Sequence, residues 1–324
     1  MIQGYLASVK VLIVGTGVIG TIYGWALAEA GVEVTHVVRS SGRPSAGAVC
    51  LDLLDHRHGH PRHQQVRYTP AVVDAVTPGD GYELVVVATK HYQAAAAVRD
   101  YREGAPDATF LMFTANWDGP AAIDELLPRS RYLWGYAAAS GGRTPDAIVA
   151  NLRPDVRLGA LEGSDPGALE SVVSLFGRAG LAADLKGDII EWLWVHHAIN
   201  AGTIGTALCA GGLTAATRSP SLLMRGVRAT REALTVVAAR GVDITRYPDT
   251  RPFTKMPACV TAALYAYTVR ATGVGRRLTR AGHFADNPHE MKQYYFDVFE
   301  TGKELSVPMP YLTAMREAIE AYPE

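Results

Sequence analysis

Two adjacent histidines, His196 and His197, lie in EWLWVHHAINAG, an otherwise apolar segment with helical character. Histidine is costly to bury without a partner and titrates near neutral pH, so it serves as a general acid, a metal ligand or a hydrogen-bonded core residue. Neighbouring residues on a helix point about 100° apart, so the two side chains diverge. No H-x-x-x-H pair completes a zinc-binding set, although Glu191 is close by. The pattern predicts no metal site and leaves the roles of general acid and core residue open.

A second chemical signal is GTGVIG, residues 15–20, which fits the pattern G-x-G-x-x-G. The apolar run before it predicts a buried strand, the spacing after it predicts a helix from Val18 to Gly31, and the strand VEVTHVVR follows. Gly15 permits a tight turn, Gly17 lets a pyrophosphate approach the backbone, and Gly20 lets helix and strand pack closely. The helix N-terminus adds unpaired N–H groups. We predict a dinucleotide site formed by Gly15, Thr16, Gly17, Val18, Ile19 and Gly20.

The residues after the second strand set the cofactor preference. An acidic residue there would accept hydrogen bonds from the ribose hydroxyls of NAD, but this sequence has Arg39 and Ser40, with Arg43 close behind. A guanidinium and hydroxyl groups together suit a 2′-phosphate, since they offer charge and several donors. We therefore predict NADP(H), bound in part by Arg39 and Ser40. The alternative is a solvated arginine in a loop.

Composition excludes several classes of protein. The chain has 324 residues, 48% hydrophobic and 19% charged, which suits a globular protein of two domains. The net charge of −1 gives no footprint for nucleic acid or an anionic membrane. Three scattered cysteines predict neither a disulfide framework nor a zinc cluster, and they suit a reducing cytoplasm. The N-terminus lacks the features of a signal peptide, and we expect no membrane span.

The pattern along the chain changes near residue 186. Before it, short apolar runs such as YELVVVATK and ATFLMFTAN alternate with helical segments, which indicates a parallel sheet in an α/β fold. After it, nearly all of the chain has helical periodicity. We predict an α/β domain over residues 1–186 and an all-helical domain over residues 187–324. The polar, histidine-rich segment from Arg57 to Arg67 is predicted to be a surface loop.

Taken together, these motifs resemble the ketopantoate reductase (2-dehydropantoate 2-reductase) family along most of the chain. The resemblance rests on their order and spacing, and the motifs that carry it are KVLIVGTGVIGTIYG, ATKHYQ, FTANWDG, the IN pair of HHAINAG, EALTVVAARGVDI and ELSVPMPYL. It implies an N-terminal Rossmann-type dinucleotide-binding domain and a C-terminal helical domain like that of 6-phosphogluconate dehydrogenases. It also implies that a small-molecule substrate binds in the cleft between the two domains.

The resemblance assigns roles to three residues of the first domain. Lys90 matches a lysine near the adenosine phosphate of the cofactor, and Gln93 follows in the same turn. Asn116 matches an asparagine that contacts nicotinamide or substrate at the carboxyl end of a strand, where open α/β sheets place ligands. The alternatives are a surface lysine at a helix start and a turn-forming asparagine.

The resemblance departs from the family at the catalytic helix. The family has a lysine and two asparagines at spacings of four, which puts all three on one helix face. When Asn200 is aligned with the last asparagine, the first two positions become His196 and Trp192, so the lysine that protonates the reduced carbonyl is absent. We predict that His196 is the proton donor, that Asn116 and Asn200 orient the carbonyl, and that Trp192 shapes the substrate pocket. His197 is expected to pack within the domain.

These positions predict an NADPH-dependent reductase of a ketone, 2-oxo acid or imine other than ketopantoate. The absent lysine keeps a second function open, that of a non-redox family member such as a cyclase, an isomerase or a ligand-binding protein. His196 also remains a candidate core histidine. Tyr23 is expected to pack against the cofactor or to face the cleft, and Asp297 or Glu290 is a candidate second-shell partner for a histidine in the cleft. The apolar helices also suit a homodimer.

Overall fold

The computed structural model describes residues 9–38, 47–280 and 287–323. The chain folds into two compact units. The first comprises residues 1–140 and 145–189, and the second comprises residues 141–144 and 190–324. The division into a dinucleotide-binding domain over residues 1–186 and a helical domain over residues 187–324, with the roles expected of each, stays a prediction.

The first unit alternates strands and helices, as the sequence predicts. Its elements in chain order are β1 (Lys10–Val14), α1 (Val18–Glu29), β2 (Glu33–Val37), β3 (Val49–Asp55), β4 (Arg62–Tyr68), β5 (Ala71–Val73), β6 (Leu84–Val87), α2 (Ala94–Tyr101), β7 (Thr109–Phe113), α3 (Ala121–Asp124), β8 (Tyr132–Tyr136), β9 (Ala139–Arg143), β10 (Ile148–Leu152), β11 (Asp155–Gly159), α4 (Pro166–Arg178) and β12 (Ala182–Leu185).

The larger sheet of the described residues has eight strands in the order β12-β11-β8-β7-β6-β1-β2-β5. Strand β1 pairs in parallel with β2 on one side and β6 on the other, and β7 and β8 continue the parallel arrangement. The chain therefore leaves β1 in one direction and returns on its other side at β6. Open sheets of this kind bind ligands at such a reversal, outside the carboxyl ends of the strands.

A smaller sheet has the order β4-β3-β10-β9. Its edge strand β4 overlaps the segment from Arg57 to Arg67 over residues 62–67, so the prediction of a surface loop there was wrong. Seven residues of β4 pair with β3, and polar side chains bridge the two strands, with His63 Nε2 2.8 Å from Asp52 Oδ1. The segment is polar because β4 is a largely exposed edge strand, where polar residues prevent unwanted pairing.

Arg57, at the start of the same segment, is buried rather than exposed. Its guanidinium lies 2.6 Å from Glu29 Oε2 and 2.9 Å from Asp55 Oδ2, and it donates to the carbonyl oxygen of Ala179 at 2.9 Å. It also lies 4.6 Å above the ring of Trp25. Burial alone would raise the pKa of Asp55, but the hydrogen bonds from Arg57 outweigh it and lower that pKa. The network joins α1, β3 and the end of α4.

The second unit is helical after its short N-terminal segment. Its helices are α5 (Ile189–Cys209, whose first residue belongs to the first unit), α6 (Leu213–Ala216), α7 (Pro220–Ala239), α8 (Arg251–Thr254), α9 (Ala258–Ala271), α10 (Gly273–Arg280), α11 (Pro288–Glu304), α12 (Pro310–Thr313) and α13 (Arg316–Glu320). Helices α5 and α7 pack closely, since a Cβ added at Gly226 would lie 2.0 Å from Thr206 Oγ1. Among the described residues, no helix is both long and apolar enough to span a membrane.

A buried histidine makes the stability of the first unit sensitive to pH. His36 in β2 is 1% exposed, its Nε2 lies 3.0 Å from the hydroxyl of Tyr68, and it packs against Gly24 of α1. Burial lowers the pKa of His36 to about 4. In the unfolded chain the pKa is about 6.5, so between these values the unfolded state binds more protons. Stability contributed by neutral His36 is present above pH 6.5 and is lost as pH falls toward 4.

We expect His36→Gln to remove this dependence. The free energy of unfolding of the wild type, relative to His36→Gln, should fall by about 3 kcal/mol between pH 7.5 and pH 4. Urea denaturation at a series of pH values measures it. The control is His60→Gln, because His60 is exposed and should leave the pH profile unchanged. An NMR titration that gave His36 a pKa near 6.5 would contradict this explanation.

Candidate active site

The turn between β1 and α1 contains the three glycines of GTGVIG. Gly15 has φ +117°, and a Cβ there would lie 2.5 Å from the carbonyl oxygen of Ala88. A Cβ at Gly20 would lie 2.0 Å from the carbonyl oxygen of Gly15. By contrast, a Cβ at Gly17 would meet nothing within 4 Å, and Gly17 is exposed. Close packing therefore explains why residues 15 and 20 are glycines. At Gly17 no neighbouring atom requires a glycine, and there is open space beside the backbone.

The first turn of α1 suits an anion. Helix α1 begins at Val18, its N-cap is Gly17, and in the described structure no side chain caps it and no acidic residue lies in its first turn. Thr16, Val18 and Ile19 are partly exposed around this turn. The amide groups at the start of α1 and the positive end of the helix dipole lie at the centre of the large sheet, where a phosphate would be stabilised.

The loop after β6 lies beside the glycine turn. The amide of Ala88 donates to the carbonyl oxygen of Val14 at 2.9 Å, which brings the carboxyl ends of β6 and β1 together. Lys90 follows two residues later and is partly buried, and the amide of Gln93 donates to the carbonyl oxygen of Lys90 at 2.8 Å. The side chain of Gln93 is exposed. The fold therefore brings the loop of Lys90 close to the glycine turn. Arg39 and Ser40 lie outside the described residues.

Asn116 follows β7, the next strand of the sheet. It is 4% exposed, and its Oδ1 accepts a hydrogen bond from the amide of Gly119 at 2.7 Å. Its Nδ2 is buried and has no hydrogen-bond partner within the described part of the chain. A buried amide that donates no hydrogen bond costs about 1–3 kcal/mol. The geometry leaves this donor available to a ligand at the carboxyl edge of the sheet, a property that residue types alone did not reveal.

Tyr23 belongs to the core of the first unit. It is 1% exposed, its hydroxyl accepts a hydrogen bond from the amide of Ala138 at 3.1 Å, and its ring packs edge-on against Phe113 at 4.8 Å. Burial raises the pKa of Tyr23 far above its usual value. Tyr23 therefore packs against protein side chains in the core, which is neither of the two positions expected for it.

In the second unit, Trp192 and His196 form a stacked pair on α5. Their ring centroids are 5.1 Å apart and their planes differ by 14°. The indole Nε1 of Trp192 donates to Asp249 Oδ2 at 3.3 Å, and Trp192 is 4% exposed. His196 and Asn200 are partly exposed. The predicted face therefore has a buried tryptophan at its first position and accessible polar groups at the next two.

His197 has a different environment from His196. It is 1% exposed, its Nε2 lies 3.0 Å from Asp297 Oδ2, and its ring lies 4.5 Å from that of Tyr294. Asp297 also accepts a hydrogen bond from Gln293 at 2.5 Å. Asp297, one of the two carboxylates expected to partner a histidine in the cleft, thus contacts the buried His197. His197 packs within the second unit, as expected.

Asp249 is the residue near α5 that sequence reasoning missed. It lies 57 positions after Trp192, in the turn Pro248–Thr250, and nothing in the local pattern links the two. The same turn region supplies Tyr247, whose hydroxyl donates to Glu191 Oε2 at 2.6 Å. Two consecutive residues of α5 are thereby held by one loop.

Among the described residues, no group of three or more histidine, cysteine, aspartate or glutamate side chains is arranged to hold a metal ion.

Comparison with known proteins agrees with this fold and with the sequence motifs. Residues 11–163 match the family of the ketopantoate reductase PanE/ApbA. A 2-dehydropantoate 2-reductase of Pyrococcus abyssi (strain GE5 / Orsay) is 23% identical over 205 residues, which span 61% of this chain and 64% of that protein. The match thus covers less than two thirds of the relative's length.

Solved structures resemble nearly the whole chain. The ternary structure of D-mandelate dehydrogenase with NADH and anilino(oxo)acetate superimposes with a TM-score of 0.71 at 16% identity, over 97% of this chain and 98% of that one. A dimeric ketopantoate reductase from Staphylococcus aureus gives 0.63 at 15% identity, over 97% and 100%. A 2-dehydropantoate 2-reductase from Geobacter metallireducens GS-15 gives 0.64 at 16% identity, over 96% and 99%. The α/β unit followed by a helical unit is the fold of these reductases, and the predicted fold class is confirmed.

The contrast between Gly17 and Gly20 predicts two different variants. We expect Gly17→Ala to fold with an unchanged or slightly raised melting temperature, because Gly17 has φ −68° and ψ −176° and open space beside it. Gly20→Ala should lose about 1–3 kcal/mol of stability, since its Cβ would overlap a backbone oxygen that cannot move freely. Thermal unfolding followed by circular dichroism compares them. Equal losses in the two variants would contradict the assignment of different roles to the two glycines.

Proposed function

This chain is ketopantoate-reductase-like over residues 11–163, and we propose that it is an NADPH-dependent reductase. Its substrate would be a ketone, 2-oxo acid or imine other than ketopantoate. The observation that carries the proposal is the pairing of an open glycine turn at Gly17 with the unpartnered amide nitrogen of Asn116. They follow the carboxyl ends of β1 and β7, two parallel strands on either side of β6, at the edge where this class of sheet binds nucleotides.

The residues present fit a dinucleotide. The open side of Gly17 and the amides of the first turn of α1 suit a pyrophosphate, and the Nδ2 of Asn116 suits a carboxamide or carbonyl oxygen. We assign the 2′-phosphate of NADP to Arg39 and Ser40, with Lys90 and Gln93 beside the adenosine end. The positive charges of Arg39 and Lys90 support NADP over NAD, because a phosphate favours cationic donors.

The bound dinucleotide would supply a hydride from C4 of its nicotinamide ring. The proposal gives Asn116 and Asn200 the role of donating hydrogen bonds to the substrate carbonyl, which polarises it. As the new C–H bond forms, the electron pair of the C=O π bond moves to oxygen, and His196 in its protonated form donates a proton to that oxygen. The neutral imidazole then recovers a proton from solvent. The partial exposure of His196 and Asn200 supports these roles.

Trp192 argues against ketopantoate as the substrate. The family pattern places a lysine at this position, where it would hold a carboxylate and deliver a proton. An indole does neither, and here its N–H is engaged with Asp249 and its ring stacks on His196. The missing cation favours a larger or less charged substrate.

Oxidation of NADPH tests the proposal directly. We expect purified protein to bind NADPH by fluorescence and to oxidise it, read from nicotinamide absorbance, with at least one member of a panel of ketones, 2-oxo acids and imines. His196→Ala should lower kcat by about 100-fold or more, because a general acid contributes at least that much, and leave the affinity for NADPH unchanged. Added imidazole should restore part of the lost rate.

Two outcomes would contradict the assignment. Full turnover by His196→Ala would exclude His196 as the proton donor. Tight binding of NADPH without oxidation by any compound of the panel would favour the alternative, a repurposed family member without redox turnover, which the missing lysine motivates.

Gly17→Ala serves as the matched variant for cofactor binding. We expect it to fold but to bind NADPH about tenfold more weakly, which is a loss of about 1.4 kcal/mol in binding free energy.

We also propose that the protein is a homodimer in a reducing, cytoplasmic compartment. A relative of the same fold is described as dimeric. Helix α9 carries an apolar surface of the kind that a second copy covers, with Val260 40%, Leu264 50% and Tyr267 66% exposed at spacings of four and three on one helix face. Free thiols at Cys50, Cys209 and Cys259 support a reducing compartment.

Light scattering coupled to size-exclusion chromatography measures the oligomeric state. We expect twice the monomer mass for the wild type and the monomer mass for Tyr267→Asp, because a charge would be buried without a partner at the interface. Tyr92→Asp is the control, since Tyr92 is 50% exposed on the first unit. A monomeric wild type at micromolar concentration would contradict the proposal.

A further inference from the structure

An open groove of about 540 Å³ lies in the second unit, between α7, the turn that begins at Ile244 and the end of α8. Small-molecule sites in proteins have volumes of about 300–1,000 Å³, so the groove has the size of a ligand site. None of its lining residues is a proposed catalytic residue, and none belongs to the surface of α9 that we assign to a second copy.

Two cationic side chains line the groove, and no acidic side chain does so among the described residues. Arg231 on α7 is partly buried, and Lys255, which follows α8, is exposed. Within the part of the chain that the structure describes, neither side chain is paired with a carboxylate. The groove therefore carries positive charge that its own lining does not neutralise.

The guanidinium of Arg231 is held in place by backbone oxygens at the edge of the groove. Its Nε donates to the carbonyl oxygen of Phe253 at 2.6 Å, and its Nη2 donates to that of Met256 at 2.7 Å. A guanidinium has five N–H groups, so these two bonds leave the others for a ligand. Because the side chain is already ordered, binding an anion costs little further side-chain entropy.

The two threonines of the groove cannot take over the role of donors. Oγ1 of Thr235 donates to the carbonyl oxygen of Arg231 at 3.0 Å, and Oγ1 of Thr254 donates to that of Thr250 at 3.1 Å. A hydroxyl group has one proton, so each threonine has only acceptor lone pairs left. An anion requires donors, so Arg231 and Lys255 are the side chains of the groove that suit it.

The rest of the wall is apolar and is formed by Leu234, Ile244, Met256 and Pro257. Leu234 is 1% exposed, and Ile244 and Met256 are partly buried. The thioether of Met256 is suited to contact an aromatic ring. An apolar wall beside two cations matches an anion that carries an apolar group better than it matches a hydrated inorganic ion.

The charge of the neighbouring segment also favours an anion. From Thr250 to Ala285 the sequence has lysine and arginine but no aspartate or glutamate, although the net charge of the chain is −1. The aspartates that precede this segment bind other partners, since Asp243 accepts hydrogen bonds from Thr245 and Asp249 accepts one from Trp192. A local excess of positive charge raises the local concentration of anionic ligands.

We propose that this groove binds a small organic carboxylate that carries an apolar group. Arg231 and Lys255 bind the carboxylate, and the apolar wall receives the rest of the molecule. The loop that borders the groove also holds α5 through Tyr247 and Asp249, so a bound ligand stabilises the loop that supports Trp192. The site is separate from the proposed catalytic residues and does not require redox turnover.

Isothermal titration of the wild type with 4-phenylbutyrate measures this binding. The acid has no ketone, so it is not a substrate for hydride transfer. 4-Phenylbutyramide has the same apolar group without the charge, and acetate has the charge without the apolar group. We expect both to bind at least about tenfold more weakly than 4-phenylbutyrate, because each loses one of the two kinds of contact.

Substitution of the two cations locates the site. Lys255→Gln should lower the affinity about fivefold, as is typical of an exposed charge, and Arg231→Gln about tenfold or more, since the bonds of Arg231 to a carboxylate are charge-assisted. Arg251→Gln is the matched control, because Arg251 is exposed on α8 and does not line the groove. Its affinity should equal that of the wild type.

Hydrogen exchange followed by mass spectrometry gives a second measure of the position of the ligand. Saturation of the wild type with 4-phenylbutyrate should slow the exchange of backbone amides over residues 244–257, because the ligand stabilises this loop. Unchanged exchange there would place the ligand elsewhere and overturn the proposal. None of these measurements uses NADPH, so they test the groove independently of the proposed reductase activity.

The titrations can also overturn the proposal. Absence of binding, or equal binding of 4-phenylbutyrate and its amide, contradicts it, and so does unchanged affinity in folded Lys255→Gln and Arg231→Gln. If Arg231→Gln does not fold, the result for Lys255→Gln decides, because the side chain of Lys255 makes no hydrogen bond within the described residues and its loss should leave the fold intact.

Discussion

The first unit depends on one close contact between helix and strand. A Cβ at Gly20 would lie only 2.0 Å from the carbonyl oxygen of Gly15, so α1 begins directly against the end of β1. This approach places the N-terminus of α1 at the carboxyl edge of the sheet, between the ends of β1 and β6. Further along α1, Gly24 leaves the space that the ring of His36 in β2 fills. The same helix therefore positions the glycine turn and packs over the neighbouring strand.

The buried charge network of Arg57 holds the other end of α1. Glu29 is the last residue of that helix, and Arg57 joins it to Asp55 of β3 and to the carbonyl oxygen of Ala179 after α4. Removing Arg57 would leave the buried carboxylate of Asp55 without its cation, which costs far more than the loss of an exposed pair. Helix α1 is thus fixed at its start by steric contact and at its end by ion pairs, which gives the glycine turn a rigid support.

Local signals were sufficient to predict most elements of the chain but not the contacts between residues far apart in the sequence. The turn GTGVIG, the strands beside it and the helical second half follow from periodicity and from glycine chemistry over a few residues. Strand β4 was missed because an edge strand has the polar composition of a loop. Asp249 and Asp297 were not assigned correctly because their partners on α5 are 57 and 100 positions away, and side-chain hydrogen bonds at such separations leave no pattern in the sequence.

The two adjacent histidines have different environments although they follow one another on the same helix. His197 is buried against α11, where it contacts the carboxylate of Asp297 and the ring of Tyr294. His196 points about 100° away, stacks on Trp192 and keeps part of its ring accessible. Asp249 holds the indole of Trp192, and the indole stacks on the imidazole, so Trp192 orients its neighbour one turn further along the helix. His196, the proton donor that we propose, is therefore held in place by a residue that makes no direct contribution to the chemistry.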